Sequence, residues 1–534
     1  MKEKIRKLVE SVAVDYLRSK NADEKAIDAS IEIPRVDKFG EYSTNIALQL
    51  AKPLKKSPKN IAEDITVLLL ARDNGRYFSS VESVPKGFIN FRITDLFLQD
   101  NLRRTVKDDK KYGYSTVGNG EKILLEYVSA NPTGPLHVGH GRWAVIGSSI
   151  AGILNAAGFK VDSEFYINDI GNQIDLLIKS IEARISDRPL PEGGYGGQYI
   201  KLLADDFRGK KVEAAAVLGL ILERQKKVLE ELKVHFGKWF KESDLHKDKK
   251  IAGTVKLLEE RGVTFFDKGA KWFRSTDFGD DKDRVLEREG GASTYFASDV
   301  AYHLDKFKRK YDHLINVWGT DHHGYVARLK GAMEVLGFPK EKLEIIIGQL
   351  VILFRGKEQV RMSKRTGEMI TLKEVMDEIG VDATRYFLVR TSPNTHLNFD
   401  LELAKSKSQE NPVYYVQYAH ARISSILREA LKQGLKPAKS ADLKLLTDPS
   451  ERKLLVKILK YPDEVADAAL FRQPHKLTIF AEDLATVFHN FYHNCRVISD
   501  DKKLSSARLT LVDAARIVIR NVLELLGVNA PESM

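Results

Sequence analysis

The chain has 534 residues, 43% hydrophobic and 30% charged, with a net charge of +11; that is an ordinary globular balance, long enough for about three or four domains. Its one cysteine, Cys495, excludes a disulfide framework and a multi-cysteine zinc site. No apolar run approaches the roughly 20 residues of a membrane span, and Met1-Lys2-Glu3-Lys4-Ile5-Arg6 lacks a signal-peptide core, so a cytoplasmic location is expected. The basic excess suits a polyanion, but it is spread along the chain and permits RNA binding without demonstrating it.

Apolar residues Ile5, Leu8, Val9, Val12, Ala13, Tyr16 and Leu17 predict an amphipathic helix over 2–19. Ser57-Pro58 supplies an N-cap and a proline at the first helical position, predicting a helix to about residue 71. Strand-like runs at 78–84 and 87–93 complete a small α+β unit. The polar, turn-rich stretch 110–120 reads as a linker.

Strands and helices then alternate: strand 122–129, helix 141–157, strand 160–166, helix 171–185. This is the pattern of a parallel α/β sheet. Residues 187–292 interrupt it with a glycine cluster, a helix at 217–235 and hairpin-like runs near Phe265 and Trp272. Alternation resumes with helix 299–308, strand 313–318, helix 324–336 and an apolar strand at 348–354. From about residue 398 helical periodicity dominates at 414–431, 452–460, 475–494 and 507–526, a helical bundle.

The most informative run is Ala130-Asn131-Pro132-Thr133-Gly134-Pro135-Leu136-His137-Val138-Gly139-His140. A strand, a loop closed by prolines and a helix N-terminus present backbone N–H groups and a positive dipole end to an anion. His137 and His140 are spaced to add donors to a triphosphate; as alternatives they cap the helix or hold a metal. Gly139 makes sense if adenine packs on bare backbone. A second run, Val360-Arg361-Met362-Ser363-Lys364-Arg365-Thr366-Gly367, is a basic loop after a strand. A third, Gly319-Thr320-Asp321-His322-His323, lies at a strand's C-terminal end, where its histidine pair also admits a metal-hydrolase reading. Glu126 stands in the apolar strand before the first run, where a charge requires a partner. Tyr295 and Asp299, at i and i+4, share one helical face, although Asp299 also reads as a helix N-terminal carboxylate.

The two signatures resemble the HIGH and KMSKS motifs of class I aminoacyl-tRNA synthetases, and the flank of the first is most similar to the arginyl-tRNA synthetase family. The resemblance covers nearly the whole chain. It implies an α/β, Rossmann-like doubly wound catalytic domain at 113–397, split by an insertion at about 187–292. An N-terminal tRNA-contacting α+β domain at 1–112 and a C-terminal helical anticodon-binding domain at 398–534 would flank it. It implies charging of arginine tRNA with L-arginine through an adenylate, using ATP with Mg²⁺ and no protein-held metal. Catalysis would fall to His137, His140 and Lys364, and ATP binding to His137, Gly139, His140, Gly319, Asp321, Met362, Ser363 and Lys364. Arginine would be held by Glu126, Asn131, Tyr295, Asp299 and His322, since a planar five-donor guanidinium calls for placed carboxylates. Phe39, Tyr42, Asn45, Tyr414, Tyr418 and Arg422 match the tRNA-contacting stretches, although Tyr414 and Tyr418 at helical spacing also suit a core. The resemblance further implies a monomer that activates arginine only with tRNA bound. Another class I synthetase, or a catalytically silent tRNA-binding paralogue, is the alternative.

Overall fold

The computed structural model describes residues 1–23, 27–34, 36–360 and 370–534, without the side chains of Asp37 and Asp321. Five strands form its central sheet in the order Leu343–Gly348, His313–Gly319, Lys122–Glu126, Lys160–Ile167, Lys238–Lys241, and every pairing is parallel. The chain enters at the middle strand, adds two on one side, then crosses to add two on the other. That reversal falls between Lys122–Glu126 and His313–Gly319. In an open parallel sheet, ligands bind in the crevice beyond the strand C-termini at such a switch point.

The expected doubly wound layout is present, with two changes. The stretch 187–292, read as an interruption, returns strand Lys238–Lys241 to the sheet. The apolar run 348–354 spans parts of two strands. Leu343–Gly348 closes the parallel sheet, whereas Val351–Arg355 joins a separate sheet with Glu358–Gln359 and Leu397–Asp400. Gly348 marks the break, because a β-carbon there would lie 1.8 Å from the Trp143 ring.

Strand alternation sorts side chains onto two faces of the sheet. Ile123, Leu125, Phe165, Ile315 and Val317 join one apolar cluster, while Leu124 and Leu314 join a second with Phe296, Val300 and Met333. By the same period Glu126, Glu164, Tyr166 and Asn316 face the second side, under helix Tyr295–Lys308. That helix answers with Tyr302, His303, Lys306 and Arg309 at helical spacing. Tyr302 Oη donates to Glu164 at 2.7 Å and Arg309 donates to Glu164 at 2.6 Å. Lys306 Nζ pairs with Glu126 and donates to Asn316 at 3.0 Å. Breaking a buried ion pair costs about 3–5 kcal/mol, so this polar layer fixes how the helix sits on the sheet.

Before the sheet, helices Lys2–Ser19, Ile46–Leu54 and Pro58–Asp73 pack on a four-stranded antiparallel sheet in the order Ile31–Glu32, Tyr42–Thr44, Ile89–Ile93, Phe78–Ser83. After it, helices Pro412–Lys432, Pro449–Leu470, His475–Asn494 and Lys502–Leu525 form the expected bundle. The second is longer than its apolar spacing suggested, because Pro462 sits inside it. Among the described residues no helix is long and apolar enough to cross a membrane.

Candidate active site

The central strand ends at Glu126 rather than 129, because Val128 and Ser129 turn into the left-handed region at φ 70° and 43°. That backbone is costly for a β-branched residue and persists only where its surroundings enforce it. Ser129 Oγ donates to Glu126 Oε1 at 2.8 Å and accepts from the Tyr166 N–H at 3.2 Å, which pins the turn.

The next helix begins at Val138 with His137 as its N-cap, three residues earlier than the spacing suggested. His137 Nδ1 accepts from the N–H groups of Gly139 at 3.1 Å and His140 at 3.3 Å, and His140 Nδ1 accepts from the His137 N–H at 3.3 Å. Two imidazoles thus build a capping box normally made by Ser/Thr and Glu, and their rings stack at 3.6 Å. Capping and anion binding are therefore compatible here. Since each Nδ1 accepts, each neutral ring carries its proton on Nε2, where it is a donor beside a helix N-terminus. Gly139 has a more immediate reason than room for adenine: a β-carbon would approach His137 Cε1 to 2.9 Å.

Lys364, Met362 and Ser363 lie outside the described residues. The residues after them are informative. Thr371 forms a bridge with His137, and the Leu372 N–H donates to Leu136 O at 2.8 Å. The chain leaving the basic run is therefore anchored directly on the histidine loop.

On the second face of the sheet three carboxylates converge. Glu126, 4% exposed, is already paired with Lys306, which is fully buried. Among the described residues Asp299 has no such partner: burial, then the Glu242 and Glu126 carboxylates, push its pKa up to about 8 against the pull of Lys306. Glu242, buried at the start of helix Glu242–Lys247, is likewise raised, chiefly by burial. The Tyr166 and Ser298 hydroxyls beside it pull the other way, and Asn168, with its amide turned to donate, reaches it at 3.0 Å. A buried cluster with more carboxylate than cation favours an added positive charge. Helix Tyr295–Lys308 starts at Tyr295 with Thr294 as its cap, so Asp299 lies beyond the first turn and is not a capping carboxylate. Sequence reading missed Glu242. It follows an edge strand inside the stretch taken as an interruption, and only its place directly after Lys238-Trp239-Phe240-Lys241 could have flagged it.

Tyr295 stands at the rim, 52% exposed, with its hydroxyl facing Gly171. Asn131 Nδ2 donates to Gln173 at 2.9 Å at the same strand-end crevice. Gly319 ends its strand and begins the turn Thr320–His322; the Asp321 side chain is outside the description. The His322 ring lies 5.7 Å from that of Trp318 and 5.8 Å from that of Tyr325. Among the described residues no three His, Cys, Asp or Glu side chains are grouped to hold a metal ion.

Of the residues expected to touch tRNA, Tyr42 is a correction. It is fully buried and donates to Asp463 at 2.8 Å, so its ring cannot stack on a nucleotide. Phe39 is exposed with the Lys38 ammonium over its ring, and Asn45 begins a helix nearby. Tyr414 and Tyr418 are half-buried and stacked at 6.2 Å, and the exposed Arg422 guanidinium lies over both Tyr418 and Tyr492.

Comparisons with known proteins agree along the chain. The arginyl-tRNA synthetase N-terminal domain matches residues 1–93, the class I tRNA synthetase (R) catalytic domain matches 101–193 and 197–408, and the DALR anticodon binding domain matches 416–534. The arginine–tRNA ligase of Listeria monocytogenes serotype 4b is 45% identical with both chains covered in full. That of Moorella thermoacetica is 46% identical over 95% of this chain and 94% of the relative. The arginyl-tRNA synthetase of Thermus thermophilus shares the fold at a TM-score of 0.81 and 24% identity, covering 99% of this chain and 100% of the other. With such identity sustained over its full length, the chain belongs to the arginyl-tRNA synthetases of class I.

Proposed function

We propose that this arginine–tRNA ligase works in two steps within the switch-point crevice. The carboxylate of L-arginine attacks the α-phosphorus of ATP, forming a bond to it as the bond to the β-phosphate oxygen breaks, and pyrophosphate leaves. A hydroxyl of the tRNA's terminal adenosine then attacks the adenylate carbonyl, loses its proton, and AMP departs. No covalent enzyme intermediate is needed; positioning and charge stabilisation carry the rate.

His137 and His140 hold the phosphate chain through Nε2–H beside the helix N-terminus, and Gly139 keeps that turn open. Lys364 neutralises the departing pyrophosphate, and Met362 and Ser363 of the same basic run also contact ATP. Gly319 and Asp321 border the nucleoside at the neighbouring strand end. ATP enters as its magnesium complex, so the ion belongs to the substrate. Asp299 and Glu242 grip the guanidinium, Glu126 supports them from its pair with Lys306, Asn131 faces the α-amino end, and Tyr295 and His322 close the rim. Lysine is rejected because a point-like ammonium leaves acceptors unpaired.

For tRNA, residues 1–112 with Phe39 and Asn45, and residues 398–534 with Tyr414, Tyr418 and Arg422, flank the catalytic region 113–397. Stacked tyrosines under a guanidinium suit splayed bases. Arginine activation waits for bound tRNA, one chain suffices, and the cytoplasm is the setting. The observation that supports the reading is the pair of buried carboxylates with raised pKa, Asp299 and Glu242, beyond the same strand C-termini as the histidine cap. Charging total tRNA with each of the twenty amino acids tests it. Arginine alone should be transferred, and faster transfer of any other overturns the assignment.

A further inference from the structure

Arg385 lies on helix Val381–Val389 and is only 2% exposed. Among the described residues no carboxylate pairs with its guanidinium. Its donors reach three separate elements: Nε to Leu526 O at 2.8 Å, Nη1 to Leu232 O at 2.7 Å, and Nη2 to Ser148 Oγ at 3.0 Å. Leu526 caps the C-terminus of helix Lys502–Leu525, and Leu232 caps that of helix Ala214–Glu231. Each helix C-terminus carries about half a negative charge, so two of them balance one cation without an acidic residue. Burial lowers the Arg385 pKa only to about 10, which leaves it charged at neutral pH. Space is reserved for it at Gly527, where φ is 69° and a β-carbon would lie 2.4 Å from Arg385 Nε.

The three elements differ in what they carry. Helix Lys502–Leu525 is a core member of the C-terminal bundle and packs against helix Pro412–Lys432, which bears the stacked tyrosines. Ser148 lies on helix Val138–Ala156, ten residues after its first residue, Val138, or about 15 Å along a rigid rod. We propose that Arg385 is a positioning residue that couples the C-terminal bundle to the helix bearing His137 and His140. A rigid planar fork cannot lose one acceptor without leaving a buried donor unpaired. When RNA binding shifts Leu526, the fork follows, and Ser148 and the histidine cap move with it.

The coupling rests on the reading that His137 and His140 hold the nucleotide. Single-turnover charging of tRNA by the full chain tests both. Arg385→Lys keeps the charge but cannot span three acceptors. Ser148→Ala cuts only the leg to the histidine helix and leaves both helix C-termini capped, so it unpairs a single donor and should lower the melting temperature only slightly, with the fold retained. Arg385→Lys should slow charging roughly ten- to a hundredfold, as expected of a displaced reacting geometry, and Ser148→Ala by a share of that. Arginine KM and tRNA affinity should change less than about twofold, and the double variant should be no slower than Arg385→Lys alone, the signature of one shared path. Unaltered charging by Ser148→Ala, or effects that multiply in the double variant, overturns the coupling and leaves Arg385 as a helix cap. Unaltered charging by His140→Ala instead sinks the nucleotide reading beneath it.

Discussion

Asp299→Asn preserves the shape of the pocket and removes one charge. In the free enzyme burial, Glu242 and Glu126 hold the Asp299 carboxyl near pKa 8, so at pH 7 about nine-tenths of it is protonated. Arginine's guanidinium is always charged and favours the ionised form. Binding at pH 7 therefore releases close to one proton, and affinity rises with pH until about 8, then levels. Conversely, this carboxyl's contribution to the stability of the free fold is lost as pH rises from 3.8, its ordinary value, through 8. Arginine should restore it. A hydrogen bond to a charged group contributes about 1.5–3 kcal/mol, so at pH 8.5 the variant should lose about ten- to a hundredfold in kcat/KM for arginine. At pH 6.5 the unaltered enzyme must first ionise a group held about 1.5 units above the solution pH, and its advantage should shrink to a few-fold or less. Steady-state charging at pH 6.5, 7.5 and 8.5 with arginine varied gives the ratio directly. Because Asn does not titrate, the ratio isolates Asp299 from ATP and the α-amino group. A ratio flat with pH, or one that grows toward acid, refutes the argument.

Glu242→Gln should raise arginine KM about tenfold and leave ATP KM unchanged; a defect confined to ATP contradicts the second carboxylate. Lys364→Ala should lower adenylate formation by orders of magnitude with tRNA affinity nearly intact, measured by pyrophosphate release with tRNA present and by filter binding. Equal turnover would remove its role on the leaving group. Affinity for tRNA should fall steeply between 50 and 200 mM salt, roughly log-linearly. An affinity indifferent to salt argues against phosphate contacts by this basic chain.

Much of the fold was legible because its signals are local. The alternation of strands and helices, the Ser57-Pro58 helix start and the helical C-terminus each follow from spacing or capping. Departures arise where tertiary contacts override spacing. Strand Lys122–Glu126 ends early because Glu126 and Ser129 pin a left-handed turn, and Pro462 hides the continuity of a long helix. Among candidate site residues, Glu126 and Asp299 could be read as a charge in an apolar strand and an i,i+4 motif. Glu242 carried only the weak signal of its place after a short strand, since its proximity comes from an edge strand added to the sheet after a long excursion. Tyr42 shows the converse: its motif was visible, but its burial against Asp463 depends on packing between distant segments.

The most direct test of the central claim is the structure of the full chain with arginine and an unreactive ATP analogue bound. The expected result is the guanidinium within hydrogen-bond distance of both Asp299 and Glu242, with the triphosphate against the Nε2 edges of His137 and His140. A guanidinium seated away from both carboxylates, or a nucleotide bound elsewhere than the histidine cap, contradicts it.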